Sequence, residues 1–311
     1  MGSKSGSFSD IHSARVEGTI AVGLRRDRRL SFSEFGAPTG RAVFWLHGTP
    51  GARRQIPNEA REFALREGIR IVGLDRPGIG SSTPHVYGSF REFTSDLEIV
   101  ADCLGIGEMA VVGLSGGGPY TLAAADHMPD RVKAAGVLGG VAPTRGPDAI
   151  AGGLAGLGAR FAPLVSAGRV PIGIGLTATV RMVKPFASPI IDMYGLLSPA
   201  GDRNLLARPE FKAMFLDDLL NGSRKQFSAP FSDIMLFSKE WDFRLGEVRP
   251  SVTWWHGDAD HIVPLSHGKH CVALLPHATM RVLEGESHLG GLGVAEEILA
   301  TLLNIWDHSG S

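Results

Sequence analysis

Continuous apolar runs of strand length punctuate the first half of the chain, at residues 42–46, 69–74, 109–114 and 134–140. Runs this short, without polar alternation, predict strands buried on both faces, the condition of a parallel sheet. Helix-period patterns separate them. Residues 59–67 have helical composition, and residues 90–104 carry Phe93, Leu97, Val100 and Leu104 at spacings of three and four, with Gly105 to end the helix. Upstream, strand-like runs at 18–22 and 30–35 flank the polar Arg25-Arg26-Asp27-Arg28-Arg29 and predict a hairpin. The alternation lapses between residues 143 and 248, where helical patterns dominate. The clearest helix there starts at Pro209, carries Phe211, Met214, Phe215, Leu219 and Leu220, and stops at Asn221-Gly222. Strand-like runs return at 251–255 and 279–283, with a helix near 267–275 between them and an amphipathic helix over 295–306. The pattern predicts an α/β fold, a mostly parallel doubly wound sheet with helices on both faces. Its core domain is read as residues 1–142 and 249–311, and residues 143–248 as an inserted helical cap.

The run at 109–114 empties into Gly113-Leu114-Ser115-Gly116-Gly117, followed by a helix-compatible segment beginning at Pro119. A serine on so sharp a strand-to-helix turn needs neighbours without side chains, and glycines stand two residues to either side. Such a turn lifts the hydroxyl clear of the sheet and points backbone N–H groups at the same spot. The same pattern also suits a phosphate-binding loop, so the rest of the chain decides. Ligands of parallel sheets bind beyond the carboxyl ends of the strands. Three further loops leave such ends with useful groups: His47-Gly48-Thr49-Pro50-Gly51, His256-Gly257-Asp258-Ala259-Asp260-His261, and Glu284-Gly285-Glu286-Ser287-His288. A serine hydroxyl becomes nucleophilic when a base takes its proton and a third group fixes the base's tautomer. Ser115, an acid at Asp258 or Asp260, and His288 supply those roles.

Composition narrows the partners. With 31 basic and 32 acidic residues the formal charge is −1, which favours neither nucleic acid nor an anionic membrane. The most apolar region, residues 149–180, is interrupted by Arg160, Pro163, Arg169 and Pro171, short of the ~18 uninterrupted residues of a spanning helix. The first residues are small and polar, without a signal-peptide core, and read as a leader. Cys103 and Cys271 form no disulfide framework and are expected to be buried free thiols. The expected location is cytoplasmic.

The order serine, acid, histidine resembles that of the α/β-hydrolase superfamily, and the resemblance runs from the first hairpin to the last helix. The His-Gly-Thr-Pro-Gly loop and the turn Asp75-Arg76-Pro77-Gly78-Ile79-Gly80-Ser81-Ser82 are similar to the proline-iminopeptidase-like branch of capped serine hydrolases. That resemblance implies Ser115 as nucleophile, His288 as base and Asp260, ahead of Val263-Pro264, as the acid. It implies an oxyanion hole from the backbone N–H groups of Thr49 and Gly116. Hydrolysis of an acyl bond through an acyl-enzyme would follow, with no cofactor and no metal. The substrate would be a small molecule, a carboxylic ester first; an amide, thioester, lactone or carbon–carbon bond beside a ketone would use the same groups. One departure stands out: the iminopeptidases usually carry tryptophan after the serine, and here Gly116 follows it. Asp258 competes for the acid role, while His47 and Asp75 are expected to shape their turns. Two other classes are open. The string from His256 to His261, with His267 and His270 nearby, has the composition of a metal site. A ligand receptor that keeps its triad would have the same sequence.

Overall fold

The computed structural model describes residues 11–151, 186–223 and 229–309. The leader expected at the N-terminus and all but the first residues of the apolar region at 149–180 lie outside the described residues. Strands β1 (Val16–Val22) and β2 (Arg28–Gly36) form the expected antiparallel hairpin. Then follow β3 (Arg41–Leu46), α1 (Asn58–Arg66), β4 (Ile69–Leu74), α2 (Phe90–Cys103), β5 (Met109–Leu114), α3 (Gly117–His127) and β6 (Val132–Leu138). After the inserted segment come β7 (Val252–Gly257), α8 (Leu265–Leu274), β8 (Ala278–Leu283) and α9 (Ala295–His308). Among the described residues the sheet has eight strands in the order β1-β2-β4-β3-β5-β6-β7-β8, with β2 antiparallel to β4 and every later pairing parallel.

The central strands are apolar throughout because both faces are covered. On β5, Met109 and Val111 pack with Phe93, Leu97 and Tyr120 on the α2/α3 face. Ala110, Val112 and Leu114 pack on the opposite face with Ala60 of α1 and Ile298 and Leu302 of α9. Each fully buried aliphatic side chain contributes about 1.5–3 kcal/mol, so the two faces fix the strand's register. Helix α2 begins at a capping signal, Ser89 accepting from the Glu92 N–H at 3.3 Å. Cys103 departs from expectation: it closes α2 on its solvent side and is exposed, whereas Cys271 is buried. The run read as a strand over 134–140 also ends early, at Leu138, and Gly139 turns away with φ +52°.

Between β6 and β7 lie α4 (Ala187–Leu197), α5 (Ala200–Leu206), α6 (Pro209–Gly222) and α7 (Ala229–Phe237). Helix α6 has the expected bounds. Its Asp218 is buried and accepts from the N–H groups of Ala52 (2.9 Å) and Arg54 (3.0 Å), gripping the loop after β3. Helix α7 is held to α2 and α3 by an aromatic cluster in which Phe90 meets Tyr120, Phe237, Trp241 and Phe243 at 5.3–6.3 Å between ring centroids. Among the described residues no helix is long and apolar enough to cross a membrane.

Burial, and then the charge of Asp75, push the Asp218 carboxyl up to about 7 against the pull of its two backbone donors. A folded value above the unfolded 3.8 means that the native state favours the protonated form. That contribution is present at low pH and is lost as pH rises through 7. Asp218→Asn gives up one backbone bond at every pH, so it should be less stable than the parent at about pH 5, with the gap narrowing by about pH 8. Denaturant midpoints at the two pH values check this, and a constant gap would mean that the carboxyl stays ionised.

Candidate active site

The turn from β5 into α3 carries Ser115 at φ +52°, in the left-handed region that non-glycine residues rarely occupy. Holding it there costs about 1–3 kcal/mol, so the surroundings must impose it. The Ser115 N–H donates to the Leu138 carbonyl of β6 (2.8 Å), and its own carbonyl accepts from Gly118 (3.0 Å) and Val141 (3.2 Å). The flanking glycines are required by space. A Cβ on Gly113 would overlap the Gly117 carbonyl, and one on Gly117 would overlap the Leu46 carbonyl.

His288 follows β8 and Asp260 follows β7, and the two meet: His288 Nδ1–H donates to Asp260 Oδ2 at 2.8 Å. The other oxygen, Oδ1, accepts from the N–H groups of Ile262 (2.8 Å) and Val263 (2.9 Å), so the carboxylate cannot turn. Burial alone would raise Asp260, but hydrogen bonds from His256 and His288 hold it well below the usual carboxylate range. Asp260 is therefore ionised, and with Nδ1–H given to it, Nε2 is the ring nitrogen left to face another partner. Ser115 follows β5, two strands from β7 in the sheet, with β6 between them. Leu138, which accepts from the Ser115 N–H, is followed by Gly139, whose Cβ direction points to within 3.2 Å of Asp260 Oδ2 and 3.5 Å of His288 Nδ1. A Cβ there would be tight against Asp260 Oδ2, and the φ of +52° favours glycine in its own right. Among the described residues Ser115 Oγ makes no hydrogen bond; in substrate-free sites the serine–imidazole bond is often long and tightens on binding.

Asp258 goes elsewhere. It is exposed, and its Oδ1 accepts from the Gly285 N–H at 2.8 Å, tying the β7 and β8 loops together. The histidines of the metal-like string also diverge. His256 Nδ1 accepts from the Trp254 indole (3.1 Å), which leaves its Nε2–H to donate to the Val263 carbonyl (2.8 Å) and to lie 3.4 Å from Asp260 Oδ2. His261 pairs with Ser287 (3.1 Å) and His270 with the Asp148 carbonyl (2.9 Å). Among the described residues no three His, Cys, Asp or Glu side chains converge as a metal-ligand set would. His256 is thus a second support for Asp260, and sequence reasoning missed it. Its signal was the Trp254-x-His256 spacing, which on a strand puts both side chains on one face.

Thr49 and Gly116 are brought into contact, since a Cβ on Gly116 would overlap the Thr49 side chain and lie 3.3 Å from Phe237. Neither backbone N–H is taken by an acceptor among the described residues. His47 is buried beneath this loop and shapes it as expected. Its Nε2 accepts from the Arg76 N–H (3.3 Å), so Nδ1–H donates to the Gly48 carbonyl (2.7 Å). Burial, then the nearby Arg76 charge, holds the imidazole well below its ordinary value, so it stays neutral. Asp75 likewise organises its own surroundings, accepting from the Arg53 N–H at 2.8 Å and pairing with the Arg53 guanidinium at 2.5 Å.

The fold has known counterparts. The alpha/beta hydrolase fold family matches residues 41–162. An alpha/beta hydrolase fold protein from Nakamurella multipartita superposes with a TM-score of 0.65, covering 93% of this chain and 99% of its own at 22% identity. The chain has the α/β-hydrolase fold. An esterase from Thermogutta terrifontis shares the fold with a TM-score of 0.61 and 18% identity, over 94% of this chain and 97% of its own. In sequence, a proline iminopeptidase of Neisseria meningitidis is 37% identical over 108 residues, which is 34% of each chain. The match therefore spans about a third of the length of these curated relatives. A Pseudomonas putida protein named 2-hydroxy-6-oxononadienedioate/2-hydroxy-6-oxononatrienedioate hydrolase 2 is 26% identical over 91% of this chain and 93% of its own.

Proposed function

We propose that this α/β-hydrolase is a serine hydrolase cleaving an acyl bond, a carboxylic ester of a small or apolar molecule before all others. The observation that carries the reading is Ser115 held at φ +52° on a glycine-flanked turn after β5, at the same sheet edge as the ionised Asp260 after β7 and its hydrogen-bonded His288 after β8. Ser115 Oγ attacks the carbonyl carbon while its proton passes to His288 Nε2. Asp260 stabilises the imidazolium that forms. The carbonyl oxygen, now negative, is received by the N–H groups of Thr49 and Gly116, each worth about 3–4 kcal/mol in the transition state. Collapse expels the alcohol with the proton from His288. Water then takes the same route, and the acid and free serine are released. No cofactor takes part.

Amino-terminal proline cleavage fits less well. The similarity to proline iminopeptidases covers about a third of the chain. The tryptophan usual after the nucleophile in that branch has no room at Gly116, where even a Cβ would overlap Thr49. The nearly full-length likeness to the Pseudomonas enzyme supports a second reading, hydrolysis beside a ketone by the same serine. Fluorophosphonate labelling followed by an ester panel graded by acyl length, with a 2-hydroxy-6-oxo-dienedioate included, tests both readings. Unlabelled protein would reject the serine mechanism. Turnover of the dienedioate far above every ester would select the second reading.

In this reading residues 143–248 act as the cap and select the acyl group, while the catalytic groups lie outside it. Tyr194 on α4 is exposed and lies within electrostatic reach of both Asp202 and Asp260. Tyr194→Ala should shift the preference among acyl lengths by about tenfold while changing turnover of a small activated acetate less than about threefold. Equal effects on every ester would remove the cap from substrate selection.

A further inference from the structure

A buried charge pair joins the cap to the oxyanion loop, and the chemistry above gives it no task. Arg76, in the turn after β4, is 4% exposed, and Asp233 on α7 is 2% exposed. Asp233 Oδ2 accepts from Arg76 Nη2 (2.8 Å) and from the Thr49 hydroxyl (2.6 Å), while Oδ1 accepts from the Tyr120 hydroxyl (2.8 Å). Arg76 Nε reaches both oxygens at 3.1 Å. The guanidinium's remaining donors are spent on the loop itself: Nη1 on the His47 carbonyl (2.6 Å), and Nη2 on the Gly48 carbonyl (2.8 Å) and the Thr49 hydroxyl (2.9 Å). The Tyr120 ring stacks 5.0 Å from the same guanidinium.

The bond to Gly48 matters most. Gly48 C=O and Thr49 N–H belong to one peptide unit, which is trans, so they point in opposite directions. Pinning the carbonyl to Arg76, with His47 Nδ1–H donating to the same oxygen, turns the Thr49 N–H away from the pair. Gly116 stands against the Thr49 side chain, so a Thr49 N–H turned into the space beside it would make a two-donor hole with the Gly116 N–H. Arg76 can hold this pose because its planar fork is itself fixed by Asp233; a lysine could not reach the carbonyls and the carboxylate together. One helical turn beyond Asp233, Phe237 faces Gly116, so a single cap helix touches both oxyanion residues.

We propose that Arg76 and Asp233 are a positioning pair through which the seated cap aims the Thr49 N–H into the oxyanion hole. The hole is therefore complete only when α7 is docked, and the cap contributes to transition-state binding as well as to selection. This rests on the serine-hydrolase reading. Two variants test it in the full chain: Arg76→Lys, which keeps the charge and loses the fork, and the double variant Arg76→Met with Asp233→Leu, which leaves no unpaired buried charge. Each is measured for kcat/KM on an aryl ester. Each is also measured for affinity toward the matching trifluoromethyl ketone, whose adduct oxygen occupies the hole, and toward an ether isostere with no carbonyl. Turnover and ketone affinity should fall together by at least tenfold, toward the roughly 10²–10³-fold of losing a donor outright. Ether affinity should stay within about threefold, because it reports ground-state binding alone. Merely loosening the cap would lower ketone and ether affinity in step and overturn the proposal, as would unchanged ketone affinity in either variant. Should the parent escape fluorophosphonate labelling, or Ser115→Ala keep its turnover, the serine-hydrolase reading itself fails; a labelled parent with unmoved ketone affinity sinks only the positioning role.

Discussion

Ser115→Ala should lose ester turnover by about 10⁶-fold while remaining folded, the scale seen when a serine nucleophile is removed from a working triad. The folded state has little at stake in the hydroxyl. Among the described residues Ser115 Oγ makes no hydrogen bond, and the strained φ of +52° is borne by alanine as by serine. The melting temperature should therefore stay close to the parent's. The same site should be the only serine labelled by a fluorophosphonate. The nearby alternatives are committed or misplaced: Ser82 Oγ donates to the Asp75 carbonyl at 2.9 Å, Ser287 Oγ pairs with His261, and Ser81 is exposed in its turn. Peptide mapping that finds the label on any of these, or an alanine variant with undiminished turnover, would end the assignment.

Much of the fold is legible in the sequence, for reasons of burial. A parallel strand covered on both faces must be apolar at every position, so β3, β4 and β5 announce themselves within a residue of their bounds. The Ser115 turn is readable because its glycines answer a steric demand that no other residue meets. The order of Ser115, Asp260 and His288 is readable because each follows a recognisable strand. Choosing Asp260 over Asp258 was different, since both occupy the same loop; only the pairing with His288 on one side and Gly285 on the other separates them. What stayed hidden depends on contacts across the chain. Asp233 sits among Phe231, Ile234 and Met235 in a segment that reads as an ordinary helix, and Arg76 reads as a turn residue. Their pairing spans 157 positions and is fixed by tertiary packing alone. Gly139 was read as strand because it continues an apolar run, yet its lack of a side chain serves the approach of Asp260 and His288. Cys103 illustrates the converse: a residue type that is usually buried closes a helix on its wet face.

Asp260→Asn should cost about 10⁴-fold in turnover with the fold intact, and the local hydrogen bonds say why the loss is one of tautomer and not of shape. Oδ1 is held by two backbone donors, Ile262 and Val263, so the oxygen of an introduced amide must take that place. Its NH2 group then falls where Oδ2 was, facing His288 Nδ1 and the Nε2–H of His256. A donor opposite Nδ1 forces the imidazole proton onto Nε2, the nitrogen that has to accept from Ser115, and the base is disabled while every atom stays near its place. His256 adds to the effect, because its Nε2–H would then oppose another donor. Asp258→Asn should change turnover by less than about threefold, since an amide oxygen accepts from the Gly285 N–H as a carboxylate does. Chelator should leave the parent unaffected. A metal-dependent hydrolysis would reverse this pattern: both aspartate variants inactive, chelator inhibitory, Ser115→Ala tolerated. Were Asp258→Asn the severe variant and chelator harmless, the serine mechanism would stand, but the acid would have to reach His288 by moving the β7 loop, a rearrangement that breaks the two backbone bonds to Asp260.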